Sequence, residues 1–309
     1  MIDKNDISIL LPVFDDTASL KLLLKDIEKL SDYIFQIIII DDGSRLNPPT
    51  YEDFYDSLLT IQIVRLKENN GHQVAIYIGL RYIASHFPNS TVIVMDADGE
   101  DPAYVIPILL SSLNEEISVV FNGRIKRHRS FINKIFYLAF WCIARILTGE
   151  SISVGNFSAL TSNAVKEFLK IKQAPIHFAA AIIASSLEYS IIKIERNDRY
   201  LSDSKMSFFG LIELAFRAIS IFKTKVFFRL FAISLPGLIL LVDLLFFQYF
   251  SNTLMAYSSN KFILFFLYLQ IPILIITFIL FVLIVLSLNN NKRILEKISF
   301  SNSDETSPN

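Results

Sequence analysis

The sequence predicts an α/β domain with a mostly parallel sheet, followed by amphipathic helices and a two-helix transmembrane hairpin. Three observations predict it. Short, β-branched apolar runs alternate with helical patterns through the first part of the chain. Polar clusters stand at the ends of three of those runs. The apolar residues are also unevenly spread. Of 309 residues, 52% are hydrophobic and mean hydropathy is +0.46, yet residues 1–200 read as a soluble domain while 227–288 is almost wholly apolar.

Residues 7–13, 37–40, 61–66, 91–95 and 118–121 have strand length and strand composition. Between them, 19–30, 72–85 and 102–113 carry helical spacing. Asp101-Pro102 reads as a helix start, with Asp as cap and Pro in the first turn. Strands alternating with helices imply a sheet covered on both faces. Ligands of such sheets bind beyond the carboxyl ends of the strands. Those ends carry 12–16, Asp41-Asp42-Gly43-Ser44 and Asp96-Ala97-Asp98, so three clusters define one expected site.

The net charge of −1 says little, because the basic residues are clustered rather than abundant; no nucleic-acid partner is expected. A single cysteine, Cys142, excludes an intrachain disulfide framework and fits a reducing compartment. The apolar run 7–14 is too short for a secretory core with a cleavage site, so the α/β domain is expected to stay in the cytosol.

Residues 124–134 hold five Lys/Arg, one His and no acid, and run into the apolar stretch 131–147. Seventeen residues are at the short limit for a span. A helix lying in the membrane interface is the preferred reading, with a buried core helix as the alternative. Residues 210–229 form a second amphipathic stretch, with Arg217, Lys223, Lys225 and Arg229. Two spans follow, 230–250 and 262–288, reaching roughly 31 and 40 Å against a bilayer core of about 30 Å. Pro236-Gly237 and Pro272 are candidate kinks. The tail, 289–309, carries Lys292, Arg293 and Lys297; by the positive-inside rule it shares the cytosol with the α/β domain. Residues 301–309 are expected to be disordered. The organisation is thus 1–209 catalytic domain, 210–229 juxtamembrane helix, 230–288 hairpin and 289–309 tail.

Asp96 and Asp98 alternate at a strand end and can turn two carboxylates toward one cation. A hard divalent ion, Mg2+ or Mn2+, takes one or two carboxylates and completes its shell with phosphate oxygens and water. The same tripeptide alone also reads as a cap for the following helix. His72 and His177 have no His, Cys or Glu partner at metal spacing and read as structural. Asp243 lies inside the first expected span, where an ionised carboxylate is costly; protonated or paired, it would hold the helices together.

Taken together, ISILLPVFDD (7–16), IIIIDDGS (37–44), NNGHQVAIYIGL (69–80) and TVIVMDADGEDP (91–102) resemble, in order and spacing, inverting nucleotide-sugar glycosyltransferases of family 2. These have a Rossmann-like GT-A fold. The nearest branch is that of polyprenyl-phosphate glycosyltransferases similar to dolichol-phosphate mannose synthase. The resemblance covers about residues 7–225. It implies that Pro12, Phe14 and Asp16 contact the nucleotide, although the family usually has Tyr and Glu at the last two. It implies that Ile40 and Asp42 hold base and ribose, and that Asp96, Ala97 and Asp98 hold metal and diphosphate. Glu100 stands where Gln is common in a sugar-contacting position, Asp101 matches a following Asp, and Arg124 matches a basic residue near the diphosphate. Gly155-Asn156-Phe157 resembles a G-D-F element, with Ser153 where an Asp is common. The run 199–205 resembles an R-x-x-G-x-S-K acceptor loop, with Ser202 for Gly; Arg199 and Lys205 would flank the acceptor phosphate.

The expected function is inverting transfer of a sugar from a nucleotide-sugar donor to a polyprenyl-phosphate acceptor, dependent on Mg2+ or Mn2+. It would take place at the cytosolic face of a lipid bilayer, in a bacterial inner membrane, and is compatible with a homo-oligomer. Asp98, Asp101, Arg124, Arg199 and Lys205 are the expected catalytic set. A lipid-diphosphate-linked oligosaccharide is the alternative acceptor; its sugar hydroxyl needs a general base, for which Asp101 is the candidate. An inactive scaffold or lipid-carrier binding protein is the reading of another class.

Overall fold

The computed structural model describes residues 6–123, 142–152, 154–201, 208–250 and 261–304. Its strands are β1 (Ile7–Val13), β2 (Phe35–Asp41), β3 (Thr60–Arg65), β4 (Thr91–Val94), β5 (Val119–Gly123), β6 (Val154–Leu160) and β7 (Tyr189–Ile192). The helices are α1 (Thr17–Glu28), α2 (His72–His86), α3 (Ile106–Ser112), α4 (142–148), α5 (Ser162–Leu169), α6 (Phe178–Ala184), α7 (Phe208–Ile221), α8 (Lys223–Phe250) and α9 (Lys261–Asp304). Short 3-10 turns stand at Tyr51–Phe54 and Ala103–Val105.

The strands form one sheet in the order β3-β2-β1-β4-β6-β5-β7. All its pairings are parallel except those of β6, which runs antiparallel to β4 and β5. β1 is buried along its whole length, as a strand covered on both faces must be. Pro12 sits beyond the last β1–β4 pair, Leu10–Val94, where its missing N–H withdraws nothing from that ladder. α2 lies close on β1 and β2: a Cβ at Gly79 would meet Leu10 Cδ1 at 2.2 Å. On one face α1, α3 and the turn before α3 bury Leu20, Leu23, Ile106 and Leu109 against Ile9, Leu11, Ile37 and Ile93. Each such side chain stabilises the fold by about 1.5–3 kcal/mol.

Five strands fall where the pattern places them, within a residue or two at their ends. β6 and β7 were not anticipated. The helix expected from Asp101-Pro102 starts in place, through the turn Ala103–Val105, but without Asp101 as its cap. α3 begins at Ile106 with a Pro in its own first turn, and Asp101 is committed to tertiary bonds instead. The continuous amphipathic stretch expected over 210–229 is divided between α7 and α8. The disorder expected from 301 is corrected over 301–304, where α9 continues to Asp304.

The chain divides into two compact units, Met1–Ile135 with Ile152–Leu211, and Phe136–Ser151 with Ile212–Asn309. The first holds the sheet. In the second, α8 and α9 pack together, and Pro236 and Pro272 lie inside continuous helices. α4 buries Ala144 and Leu147 and exposes Ile143 and Ile146. Arg229 donates to the Ile146 carbonyl at 2.9 Å, and Lys225 pairs with Glu150 at 2.8 Å. Among the described residues, one stretch, Ile271–Leu295, is long and apolar enough to cross a membrane, with hydropathy 3.2. Of the 131–147 stretch, the part before 142 lies outside the described residues, as do the 251–260 connection and the side chain of Asp243.

Candidate active site

The carboxyl ends of β1, β2 and β4 converge, and each ends in acids. After β1, Asp15 takes a left-handed φ of 49° and ties two loops together. Its N–H donates to Ser44 Oγ, and its Oδ1 accepts the Arg45 and Leu46 N–H groups, each bond 2.8 Å. Asp16 starts α1 without a side-chain cap bond. Phe14 is exposed and Pro12 buried.

After β2, Asp41 accepts Arg65 Nε at 2.8 Å. Asp42, nearly buried, accepts the Asn70 N–H at 2.8 Å and the Gly71 N–H at 2.9 Å. Burial raises its pKa against the pull of those two N–H groups. Asp42 therefore fixes the turn that opens α2. The Ile40 side chain is fully buried and packs against Gly79. A cleft of about 420 Å3 opens beside these strand ends, lined by Gly43, Ser44, Arg45, Arg65, Leu66, Lys67 and Glu68.

After β4 the chain turns tightly through Asp96, Ala97, Asp98, Gly99, Glu100 and Asp101. Gly99 has a φ of 88°, and a Cβ there would lie 2.3 Å from the Tyr200 ring, so glycine is required twice over. Asp98 Oδ1 accepts the Glu100 N–H and Asp101 Oδ2 the Asp96 N–H, both at 3.0 Å. The segment 196–200 lies along this turn: Asn197 N donates to the Glu100 carbonyl at 3.1 Å and Tyr200 N to the Asp98 carbonyl at 3.0 Å. Tyr200 also donates its hydroxyl to Asp26 at 2.5 Å.

Two arginines complete the turn. Arg196 reaches Glu100 Oε2 at 2.7 Å and Asp101 Oδ1 at 2.6 Å. Arg199 reaches Asp98 Oδ2 and Glu100 Oε1, both at 3.0 Å. On the other side, His72 Nε2, at the start of α2, lies 3.0 Å from Asp96 Oδ1. Asn156 on β6 comes within 2.9 Å of the same His72 nitrogen and 3.5 Å of Asp96 Oδ1. Burial works to lower the His72 pKa, but Asp96, Asp42 and Asp98 outweigh it and the net shift is upward. Burial, then the charge of Asp96, raises the pKa of Asp98. Burial pushes Asp101 up to about 7, in spite of Arg196.

Asp96, Asp98, Glu100 and Asp101 crowd four carboxylates into this turn beside the guanidiniums of Arg196 and Arg199, and a divalent cation would relieve the repulsion between Asp96 and Asp98. Their oxygens suit Mg2+ or Mn2+. Among the described residues no three His, Cys, Asp or Glu side chains form a complete ligand set, so phosphate oxygens and water would fill the other positions.

The structure thus brings Asp42, Asp96, Asp98, Glu100, Asp101 and Arg199 together. Arg124 and Lys205 lie outside the described residues. Glu100 turns to two arginines. Asp101 has no accessible surface and is held by Arg196 and the Asp96 N–H. Four contributors were not anticipated: Asp15, His72, Arg196 and Tyr200. His177, read as structural, caps α6 by accepting the Ala180 N–H at 3.3 Å.

Residues 8–151 match the profile of glycosyl transferase family 2. The prophage bactoprenol glucosyl transferase homolog of Escherichia coli (strain K12) is 24% identical over 233 residues, covering 71% of this chain and 72% of that protein. The undecaprenyl-phosphate 4-deoxy-4-formamido-L-arabinose transferase of Yersinia enterocolitica is 26% identical over 234 residues, covering 71% and 68%. Among solved structures, glucosyl-3-phosphoglycerate synthase from Mycobacterium tuberculosis, in complex with Mn2+ and uridine-diphosphate-glucose, shares the fold. It has a TM-score of 0.50 and 15% identity, over 72% of this chain and 79% of that one. Residues 8–151 of the α/β unit are thus similar to glycosyl transferase family 2, and the sheet that carries them has the GT-A fold.

Proposed function

We propose that this chain moves a sugar from a nucleotide-sugar to a polyprenyl phosphate, inverting the anomeric carbon. The observation that carries the reading is Arg199, an acceptor-loop cation 3.0 Å from Asp98 at the metal motif. That pairing supports a site where an acceptor phosphate and a donor diphosphate meet. The names of the relatives agree with it, since they include transferases acting on bactoprenol and undecaprenyl phosphate.

In this reading the nucleoside occupies the cleft beside Arg65, with the diphosphate toward Asp96 and Asp98. An oxygen of the acceptor phosphate attacks the anomeric carbon, and the bond from that carbon to the nucleotide diphosphate breaks on the opposite face. Arg199 and Lys205 draw in the acceptor phosphate, and Arg124 balances charge on the leaving diphosphate. Mg2+ or Mn2+ at Asp96 and Asp98 would neutralise that diphosphate. His72 and Asn156 hold the Asp96 carboxylate in place. A phosphate monoester is largely ionised near neutral pH, so no base is required. The burial of Asp101 is in keeping with this.

The membrane part of the proposal keeps the hairpin, 230–250 and 262–288, with domain and tail both cytosolic. Tethering to the bilayer raises the effective concentration of a lipid-borne acceptor. The test is direct. Purified full-length protein is given a panel of nucleotide-sugars, undecaprenyl phosphate and Mg2+ or Mn2+. Wild type should form the lipid-phosphate sugar, and chelation should stop it until the cation is restored. Asp98→Ala should lose activity by about 100-fold or more. Transfer only to a glycosylated lipid diphosphate would replace the acceptor, and no transfer from any donor would leave a binding protein.

A further inference from the structure

Glu100 carries a contact pattern that the proposed transfer does not by itself explain. Its two oxygens serve two different arginines: Oε2 takes Arg196 and Oε1 takes Arg199. Arg196 is in turn fixed by Asp101, deep in the turn, so it is an anchor. Arg199 is different, because its other partner is Asp98, a candidate cation ligand. Any cation taken up by Asp98 draws its charge away from Arg199. Glu100 would then be the remaining carboxylate holding that guanidinium at the site. The two bonds use two of five guanidinium donors, which leaves enough for a phosphate.

We propose that Glu100 is a positioning residue that holds Arg199 over the acidic turn, ready for the acceptor phosphate, while Asp98 serves the cation. The inference rests on the phosphate-acceptor reading above and assigns a role within it. It explains why a carboxylate stands at this position. A glutamine offers one acceptor oxygen, and its amide nitrogen would face the second guanidinium. With Arg196 already anchored on Asp101, such a side chain satisfies one arginine at the expense of the other. The main-chain bonds from Asn197 and Tyr200 place only the backbone of the arginine segment along the turn, and the Glu100 carboxylate sets where the Arg199 guanidinium points. The role is therefore specific to the carboxylate.

The experiment compares wild type, Glu100→Gln and Glu100→Asp as full-length protein, measuring KM and kcat for donor and acceptor. It also measures the Kd of a short-chain polyprenyl phosphate with Mn2+ present. Glu100→Gln should raise the acceptor KM and Kd about tenfold, the loss expected for one charge-assisted hydrogen bond, and leave the donor KM within twofold. Glu100→Asp should recover part of the affinity, because it keeps the charge with a shorter reach. An unchanged acceptor Kd, or an equal loss for donor and acceptor, overturns the proposal. If Glu100→Gln does not fold, Glu100→Asp decides alone: its acceptor Kd should rise several-fold, and no change there also overturns it. Failure of the wider reading is separately visible. Wild type would then act only on a lipid-diphosphate-linked glycan, and the same comparison with that acceptor still decides the role of Glu100.

Discussion

Asp53 shows how much one half-buried carboxylate can gather. Lys21 Nζ lies 2.8 Å from its Oδ1, and the Thr50 N–H and hydroxyl each donate to its Oδ2 at 2.8 Å. The bond from Lys21, followed by that from Thr50, holds the carboxyl down at about 2, against an ordinary 3.8. A depressed pKa stabilises the fold above the unfolded value, and the gain is lost as pH falls from about 3.8 to about 2. Both side chains remain partly in water, so screening limits the effect to about 0.5–1 kcal/mol. Asp53→Asn should therefore lower the unfolding free energy by that amount at pH 7. In urea unfolding at pH 2 the gap should close; a gap of the same size there would mean packing, not charge, sets it. Legibility at this scale divides by distance along the chain. Asp96 and Asp98 were legible because a strand ends beside them. Arg196 and His72 were not, since the partners of Arg196 lie about a hundred residues away and His72 follows an ordinary turn.

Elements meet around Gln73. It stands in the first turn of α2, almost fully buried. Its Nε2 donates to Asn156 Oδ1 on β6 at 3.2 Å, and its Oε1 accepts the Phe178 N–H at 2.6 Å. The first N–H groups of a helix have no partner within it, so Gln73 caps α6 from 105 residues away. Gln73→Leu keeps the volume but leaves that N–H and one face of Asn156 unsatisfied. The cost should be about 2–4 kcal/mol, read as a fall in Tm. Gln73→Glu should cost less in stability at α6, because it still accepts from Phe178, yet it cannot donate to Asn156. That contrast separates the two bonds. The same region shows why two strands escaped the sequence. β6, VGNFSAL, is buried throughout, but Gly, Asn and Ser interrupt its apolar run. β7 has four residues and only partial burial. Pattern follows exposure, and a strand whose polar side chains face inward toward a site breaks the pattern for functional reasons. Asp101 fails as the cap of the run that starts at Ala103 for a related reason: its carboxylate is spent on Arg196.

For the whole molecule, the question is what covers the apolar unit. Ile271–Leu295 is apolar enough to cross, and only 17% of its most apolar window is buried within the structure. Phe278 and Leu286 are among its exposed side chains. Apolar area left uncovered costs about 25 cal/mol per Å2 in water, so this surface needs a cover, and a bilayer is the proposed one. One crossing and a hairpin make opposite statements about the tail. If α9 alone crosses, the end of the chain lies across the membrane from the α/β unit. If α8 crosses as well, both ends share one side, and Lys292 and Arg293 sit with the catalytic unit as the positive-inside rule favours. We expect the second. Epitope tags placed at each end should both be cleaved by protease added to inside-out vesicles, and both should be protected in right-side-out spheroplasts. A C-terminal tag cleaved only from the opposite side would establish a single crossing. Leu283→Arg adds an energetic check, because Leu283 lies near the middle of the apolar stretch. An arginine there costs about 2.5–3.5 kcal/mol on insertion. With a hairpin, α8 should keep the variant in the carbonate-resistant membrane fraction while the C-terminal tag loses its defined side. With a lone crossing, the variant should leave the membrane fraction altogether.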